Sequence, residues 1–461
     1  MPPQKVVSPV TASLQASGTS IVHGCPGVPR SLPRIETVIE IRSATGAPCK
    51  VRSVGIELRT IQKVTLPSKL GSTDSFREYK IYENPLAYRP PVGEFHQDLI
   101  ALDIPVLIPL PRDIIASGYH HNIQGNWKAS TIHKLFVRVA CGDAVENEIN
   151  YIEAFPVAIK LYDTLPLYRQ YNEPVLETHN TNDSQVVVEL SMPVSSLGPR
   201  DELILFTKVM TNHLNNRVKK NLRLLKLTLQ IKEMLECHEG GLPKKVVKIY
   251  TTSKEFKPEE NALNTQGISH QFRVEYPVDN DYLQMYSNKL SDHNNDIVNH
   301  QPQGSKEGEV TSRIESYNLA REKSIEKLDE GIPMTHIQGF TSIGKYFSIR
   351  YEVVLKVKLV NAKDMEIHLP ITVCPFDRIS SNYLLRWIMT ECDYARHRFG
   401  KEFIDMMVQT IHYKKTVDLM ASFNPPPLVY RNVKLDLARL GYSAEGYGNS
   451  KKISGFAQFI D

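Results

Sequence analysis

Apolar and polar residues alternate with a period of two along most of the chain between Thr37 and Val373, the pattern of half-buried strands. TVIEIRS (Thr37–Ser43) and SVGIELRT (Ser53–Thr60) alternate in this way, and TGAPC (Thr45–Cys49) between them is a turn signal. HKLFVRVACG (His133–Gly142) sets Leu135, Val137 and Val139 on one face. YIEAFPVAIKLYD (Tyr151–Asp163) closes this first set. A second set opens with QVVVELSMP (Gln185–Pro193). In RLLKLTLQIKE (Arg223–Glu233), Leu225, Leu227, Leu229 and Ile231 oppose Lys226, Thr228, Gln230 and Lys232. The clearest strand is KYFSIRYEVVLKVKLV (Lys345–Val360). It places Phe347, Ile349, Tyr351, Val353, Leu355, Val357 and Leu359 on one face and Ser348, Arg350, Glu352, Lys356 and Lys358 on the other. MEIHLPITV (Met365–Val373) is its expected hairpin partner through the NAKD turn. One buried and one solvated face per strand is the signature of β-sandwiches.

Four stretches break the pattern. Residues 1–34 are rich in Pro, Ser, Gly and Thr and read as a disordered tail. Residues 166–183 read as a linker, and 279–331 as a disordered insert in the second set, with a loose helical spacing at Thr311–Gly331. Past Pro375 the period becomes helical. Leu384, Trp387, Ile388, Phe403, Met407 and Ile411 recur at three- and four-residue steps, SSN before them is an N-cap signal, and Gly400 is an expected break. The expected fold is therefore all-β: two tandem sandwiches at 35–165 and 184–377, then a helical segment and flexible tail at 378–461. The helix carries Glu391, Asp393, Glu402 and Asp405, which favours packing on the sandwich over lying on lipid.

Composition narrows the function. In 461 residues the net charge is only +4, so any basic surface is local. The six cysteines are scattered without a CxxC pair or His partners at metal-ligand spacing, which reads as reduced thiols in a cytosolic protein with no metal site. Neither a signal-peptide core nor a run of about 18 apolar residues occurs, so membrane contact is expected to be peripheral. No HExxH or GxSxG is present, His120-His121 has no cysteine beside it, and no cofactor or catalytic site is expected.

Leu165-Pro166-Leu167-Tyr168 fits the Leu/Pro-Pro-x-Tyr pattern that WW domains take in an aromatic groove. Its bland reading is a linker packed on a sandwich edge. Near the other end, Pro426 and Pro427 precede Tyr430 by one residue too many for the same pattern. GFTSIGKY (Gly339–Tyr346) is close to a phosphate-binding loop, but Tyr346 stands where the Mg²⁺-binding hydroxyl is needed and a strand follows instead of a helix. It reads as a turn. Arg217, Lys219, Lys220 and Arg223, with Lys244, Lys245 and Lys248, make a candidate basic patch for an acidic partner or anionic lipid headgroups. The alternative is a solvated strand face.

Two strand-rich sandwiches joined by a Pro-containing linker, with TLPLYRQYNEP, ECHEGGLPKK (Glu236–Lys245) and LPITVCPFD (Leu369–Asp377), resemble the fungal α-arrestins, the arrestin-related trafficking adaptors, over roughly residues 35–377. The resemblance implies two arrestin-like domains and no chemistry of its own. It also implies a WW-domain HECT ubiquitin ligase and the cytosolic tails of plasma-membrane transporters as partners, ubiquitination and endocytosis as the outcome, and a cytoplasmic location with visits to plasma membrane, endosome or Golgi. Lys244 and Lys245, beside EGGLP, are candidate ubiquitin acceptors. Phosphorylation at Ser305, Ser312 or Ser324 in the insert is an expected switch. The second reading, of a different class, is an arrestin-fold trafficking or regulatory scaffold with no ligase docking.

Overall fold

Alternation in the sequence becomes strand in the structure almost wherever it occurs. The computed structural model describes residues 8–15, 21–163, 174–277, 339–410 and 430–432, with 412 and 415, apart from short gaps at 69–70, 83–87, 91–92, 122–126, 199–200, 213, 215–220, 240–241 and 377. The first domain holds β1 (Val10–Leu14), β2 (Val22–His23), β3 (Arg34–Ser43), β4 (Cys49–Ser68), β5 (Gly71–Tyr82), β6 (Gln97–Leu99), β7 (Ala101–Pro109), β8 (Gly118–His121), β9 (Lys128–Cys141) and β10 (Ile149–Val157). The second holds β11 (Val175–Asn180), β12 (Val186–Met192), β13 (Ser196–Leu197), β14 (Glu202–Thr211), β15 (Arg223–Cys237), β16 (Lys245–Glu255), β17 (Ile268–Glu275), β18 (Ser342–Ile343), β19 (Phe347–Val360) and β20 (Met365–Val373). Helices α1 (Arg378–Phe399) and α2 (Lys401–Gln409) and a short strand β21 (Tyr430–Asn432) follow.

Each domain is built from two sheets. In the first, one sheet runs β1-β3-β7-β21 with β2 on β3, and the other runs β10-β9-β4-β5 with β6 on β4 and β8 on β9. Ile39, Ile41, Leu102 and Ile104 meet Val54, Leu58, Leu135 and Val137 in one apolar core. In the second, β11-β12-β14-β17 faces β13-β20-β19-β15-β16, with β18 on β19. The seven alternate residues of β19 from Phe347 to Leu359 are all buried in the second core, as their period requires. Among the described residues no helix is long and apolar enough to cross a membrane.

Several expectations need correction. Part of 1–34 is ordered: β1 pairs with β3, β2 with β3, and Ile21, Cys25 and Val28 are buried. The Pro, Ser and Gly content there serves turns between short elements. The expected linker contains β11, which the polar VLETHN conceals because it is an edge strand with one face open to solvent. In β15 the alternation slips at Leu225. The ladder to β19 skips it, so Leu224 is fully buried and Leu225 only half-buried. The far face of β19 is also not wholly solvated, because Ser348 and Val354 are buried. Helix α1 starts at Arg378, so the Ser380-Ser381-Asn382 cap signal falls inside its first turns. The break at Gly400 is present, with φ +84°. The insert 279–331 and its serines lie outside the described residues.

Candidate docking surface and the joint that carries it

Among the described residues, two groups of contacts fix one domain against the other. The first is the turn before β19. Gln62 of β4 is fully buried, and its Oε1 accepts the Tyr346 N–H at 3.0 Å. His120 of β8 lies 4.3 Å, ring to ring, from Phe340. Trp127, just before β9, is fully buried within the second domain's core together with Val64, Leu66 and Ala129. Below them Tyr351 Oη donates to the buried Glu233 carboxylate at 2.8 Å. GFTSIGKY is thus the seam between the sandwiches. Its glycines face protein: a Cβ on Gly344 would sit 2.2 Å from Gln62, and one on Gly339 2.5 Å from the Tyr351 hydroxyl. That packing leaves a phosphate no room.

The second contact is helical. α1 leaves the second domain and packs on the first, where Leu384 and Ile388 join Cys25, Val28, Cys374 and Phe376. Glu391 Oε2, buried, accepts the Gly24 N–H at 3.1 Å. Gly24 has φ +73°, and a Cβ there would lie 2.4 Å from the Ser31 carbonyl oxygen, so glycine is required. Further along, Arg398 grips both oxygens of Glu36 at 2.6 and 2.8 Å. Arg34, almost fully buried, binds the same carboxylate at 2.9 Å and lies 5.0 Å over the Phe399 ring. Burial pushes the Glu36 carboxyl up, but the Arg398 hydrogen bonds and the two guanidinium charges outweigh it and hold the pKa at about 2. α2 adds Ile404 and Met407 against Leu32.

Glu36→Gln is expected to weaken this clasp by about 1–3 kcal/mol, because it leaves the buried Arg34 short of its counter-charge. Trp387 packs in the apolar cluster under α1, so its emission should then change at lower denaturant than in the wild type. An unchanged midpoint would mean that the ion pair contributes nothing.

The joint holds an open surface at fixed geometry. On the outer face of β11-β12-β14-β17, the register aligns Leu176, Ser191, Phe206 and Gln271 in one row across four strands. Thr178, Glu189, Lys208 and Ser269 form the next row. They line an open concavity of about 610 Å³. Leu176 is 74% exposed and Phe206 42%, on strand phases that normally carry polar side chains. The two stand about 10 Å apart, two strand spacings, with Thr178, Glu189, Lys208 and Gln271 around them. Apolar anchors inside a polar rim suit a protein partner. The sequence gives no clean signal for this face: Phe206 ends the apolar run Leu203–Phe206, and Leu176 follows Val175 in a strand that does not alternate.

Of the residues expected to dock partners, Arg223, Lys244, Lys245, Lys248 and Tyr430 are among the described ones. Leu165, Pro166, Tyr168, Pro426 and Pro427 lie outside the described residues, as do Arg217, Lys219 and Lys220. The Tyr430 backbone pairs with Asp103 on β7, so WW docking there would first require release of that strand. Lys244 and Lys248 are exposed and Lys245 half-buried at one end of β16, where Lys245 pairs with Leu235. Arg223 is twelve residues back along β15, about 40 Å away at strand rise, so it shares no patch with them. Among the described residues no group of three His, Cys, Asp or Glu is placed to hold a metal ion.

No protein-family model matches the chain. It is similar to the RHO1 GEF localizing protein 1 of Saccharomyces cerevisiae, 22% identical over 473 residues that span 91% of each chain.

Proposed function

We propose that this chain is an arrestin-like regulatory scaffold, without chemistry of its own, that holds an exchange factor for a Rho-type GTPase at its place in the cell. The observation that carries this reading is the end-to-end similarity to a yeast protein whose name is that role. A similarity spread over 91% of both chains embraces both domains and the helices rather than one shared module. The two-point joint supports the reading, since a scaffold must present its surfaces at constant geometry. So does the Leu176–Phe206 face, the docking surface we assign to the exchange factor. The ubiquitin-ligase adaptor is the competing reading and rests on Leu165–Tyr168.

The test is made in the source organism and in vitro. Deleting the gene should disperse a fluorescently tagged Rho-type exchange factor, and the purified chain should bind that factor. If the factor keeps its position, and the chain instead binds tandem WW domains in a manner lost with Tyr168→Ala, the adaptor reading replaces this one. Phe206→Asp with Leu176→Asp should weaken exchange-factor binding by about tenfold or more, the loss expected for apolar anchors. The same pair should cost about 1–2 kcal/mol of stability, mostly at Phe206, which is 42% exposed on an interior strand, and should leave the chain folded. Full binding by the double variant would move the docking surface elsewhere.

A further inference from the structure

We infer that Cys49 and Cys141 form a thiol-oxidation site, at which hydrogen peroxide converts the pair to a reversible disulfide. The two residues lie 92 apart in sequence and come together where β4 begins and β9 ends. Val51 is the cross-strand partner of Cys141, and Cys49, two residues earlier, lies diagonally across the ladder on the same side. Their Sγ atoms are 3.7 Å apart. A disulfide needs about 2.05 Å, so closing it asks for a sulfur shift of about 1.7 Å, by side-chain rotation together with a small movement of the β4 start and the β9 end. Cys141 is buried and Cys49 only half-buried, which leaves one sulfur open to a small oxidant and the other behind it.

The two thiols are not equivalent. Hydrogen bonding from Cys141 favours the Cys49 thiolate against the opposing effects of burial and Asp98. The same bond, with burial, pushes the Cys141 thiol up. Cys49, the more exposed of the two, is the reacting sulfur and Cys141, behind it, the resolving one. In the first step the Cys49 thiolate attacks peroxide: an S–O bond forms, the O–O bond breaks, and hydroxide leaves, giving a sulfenic acid. In the second, the Cys141 sulfur attacks the sulfenic sulfur. The S–S bond forms, the S–O bond breaks, and the departing hydroxide takes up the Cys141 proton as water. Two thiols and one peroxide give one disulfide and two waters. In a reducing compartment such a bond is transient, which suits a signal better than a staple.

The position gives the bond a consequence. Lys50 pairs with Asp143 at 3.4 Å and Arg52 pairs with Glu148, so the β9–β10 connection is already tied to β4 by charge. The disulfide would add a covalent tie across the same corner. The test uses the full chain, reduced and then exposed to limiting hydrogen peroxide. Digestion under non-reducing conditions should yield a Cys49–Cys141 linked peptide, with two of the six thiols lost and regained on adding dithiothreitol. The thermal midpoint of the oxidised wild type should rise. With Cys141→Ser, dimedone should trap a sulfenic acid at Cys49; with Cys49→Ser, Cys141 should stay reduced. The wild-type peptide map decides the matter even if a variant folds poorly. If both thiols remain alkylatable while other cysteines oxidise, or if Cys49 sulfenic acid persists in the wild type without closing, the inference fails.

Discussion

Trp127→Ala is expected to cost about 3–5 kcal/mol, the range for removing a large, fully buried aromatic side chain. The unusual part is where the cost falls. Trp127 belongs to the first domain's strand run but packs into the second domain's core, near Gly339. Removing it leaves each sandwich with its own strands intact and empties the seam between them. The two domains should then lose their coupling and unfold at different denaturant concentrations, giving two transitions in far-UV circular dichroism. Urea titration measures this directly. The remaining Trp387 reports the clasp by fluorescence, since the chain has only two tryptophans. A loss below about 1 kcal/mol, with the unfolding profile unchanged, would mean that Trp127 does not couple the domains.

Acid should act on the same region. His120 is fully buried between Phe340 and Phe347, and burial lowers its pKa to about 3. His133, buried beside the Ser117 hydroxyl, is lowered by burial to about 4. Both fold as neutral rings, while an unfolded histidine titrates near 6.5. Below that value the unfolded chain binds more protons than the folded one, so stability falls with pH. The loss begins as pH drops through about 6.5. It runs at up to ~1.4 kcal/mol per pH unit for each ring, until about pH 4 for His133 and about pH 3 for His120. Glu36 adds to it. Its stabilising charge is complete above about pH 4.5 and is lost as pH falls toward its folded value of about 2. Urea midpoints at pH 7.5, 5.5 and 4.5 test the prediction. His120→Phe keeps a ring between the two phenylalanines and should remove roughly half of the slope above pH 4.5. A variant with the wild-type slope would show that His120 does not titrate on unfolding.

Strand existence was legible because its cause is local. The alternation through β19 needs only a side chain every second residue facing one core, and all seven of its expected inward residues are buried. Leu225 was misread because a bulge changes the phase without changing the composition. β11 was hidden because an edge strand need not alternate apolar with polar. The joint was least legible, since it depends on pairs remote in sequence. Gln62 meets Tyr346 across 284 residues, and Glu36 meets Arg398 across 362. A buried glutamine and an Arg-Glu-Arg group look like ordinary solvated residues until the two chain ends are brought together. The docking face was not legible, because Leu203–Phe206 is apolar throughout and VLETHN has no alternation from which an outward phase could be read.

The clasp also changes how the molecule would bear a load. α1 follows the last strand of the second domain and returns to the first, and β21 joins the edge of β7. The domains are therefore bridged twice, by the chain between β10 and β11 and by the returning helices. A pull applied between the first domain and a partner seated on the second is shared by these two bridges. Such a parallel linkage is stiffer than two beads on one string, as the scaffold role proposed above would require. Under tension the clasp at Glu36 and Glu391 should yield before either sandwich, because it can peel from the helix end one contact at a time.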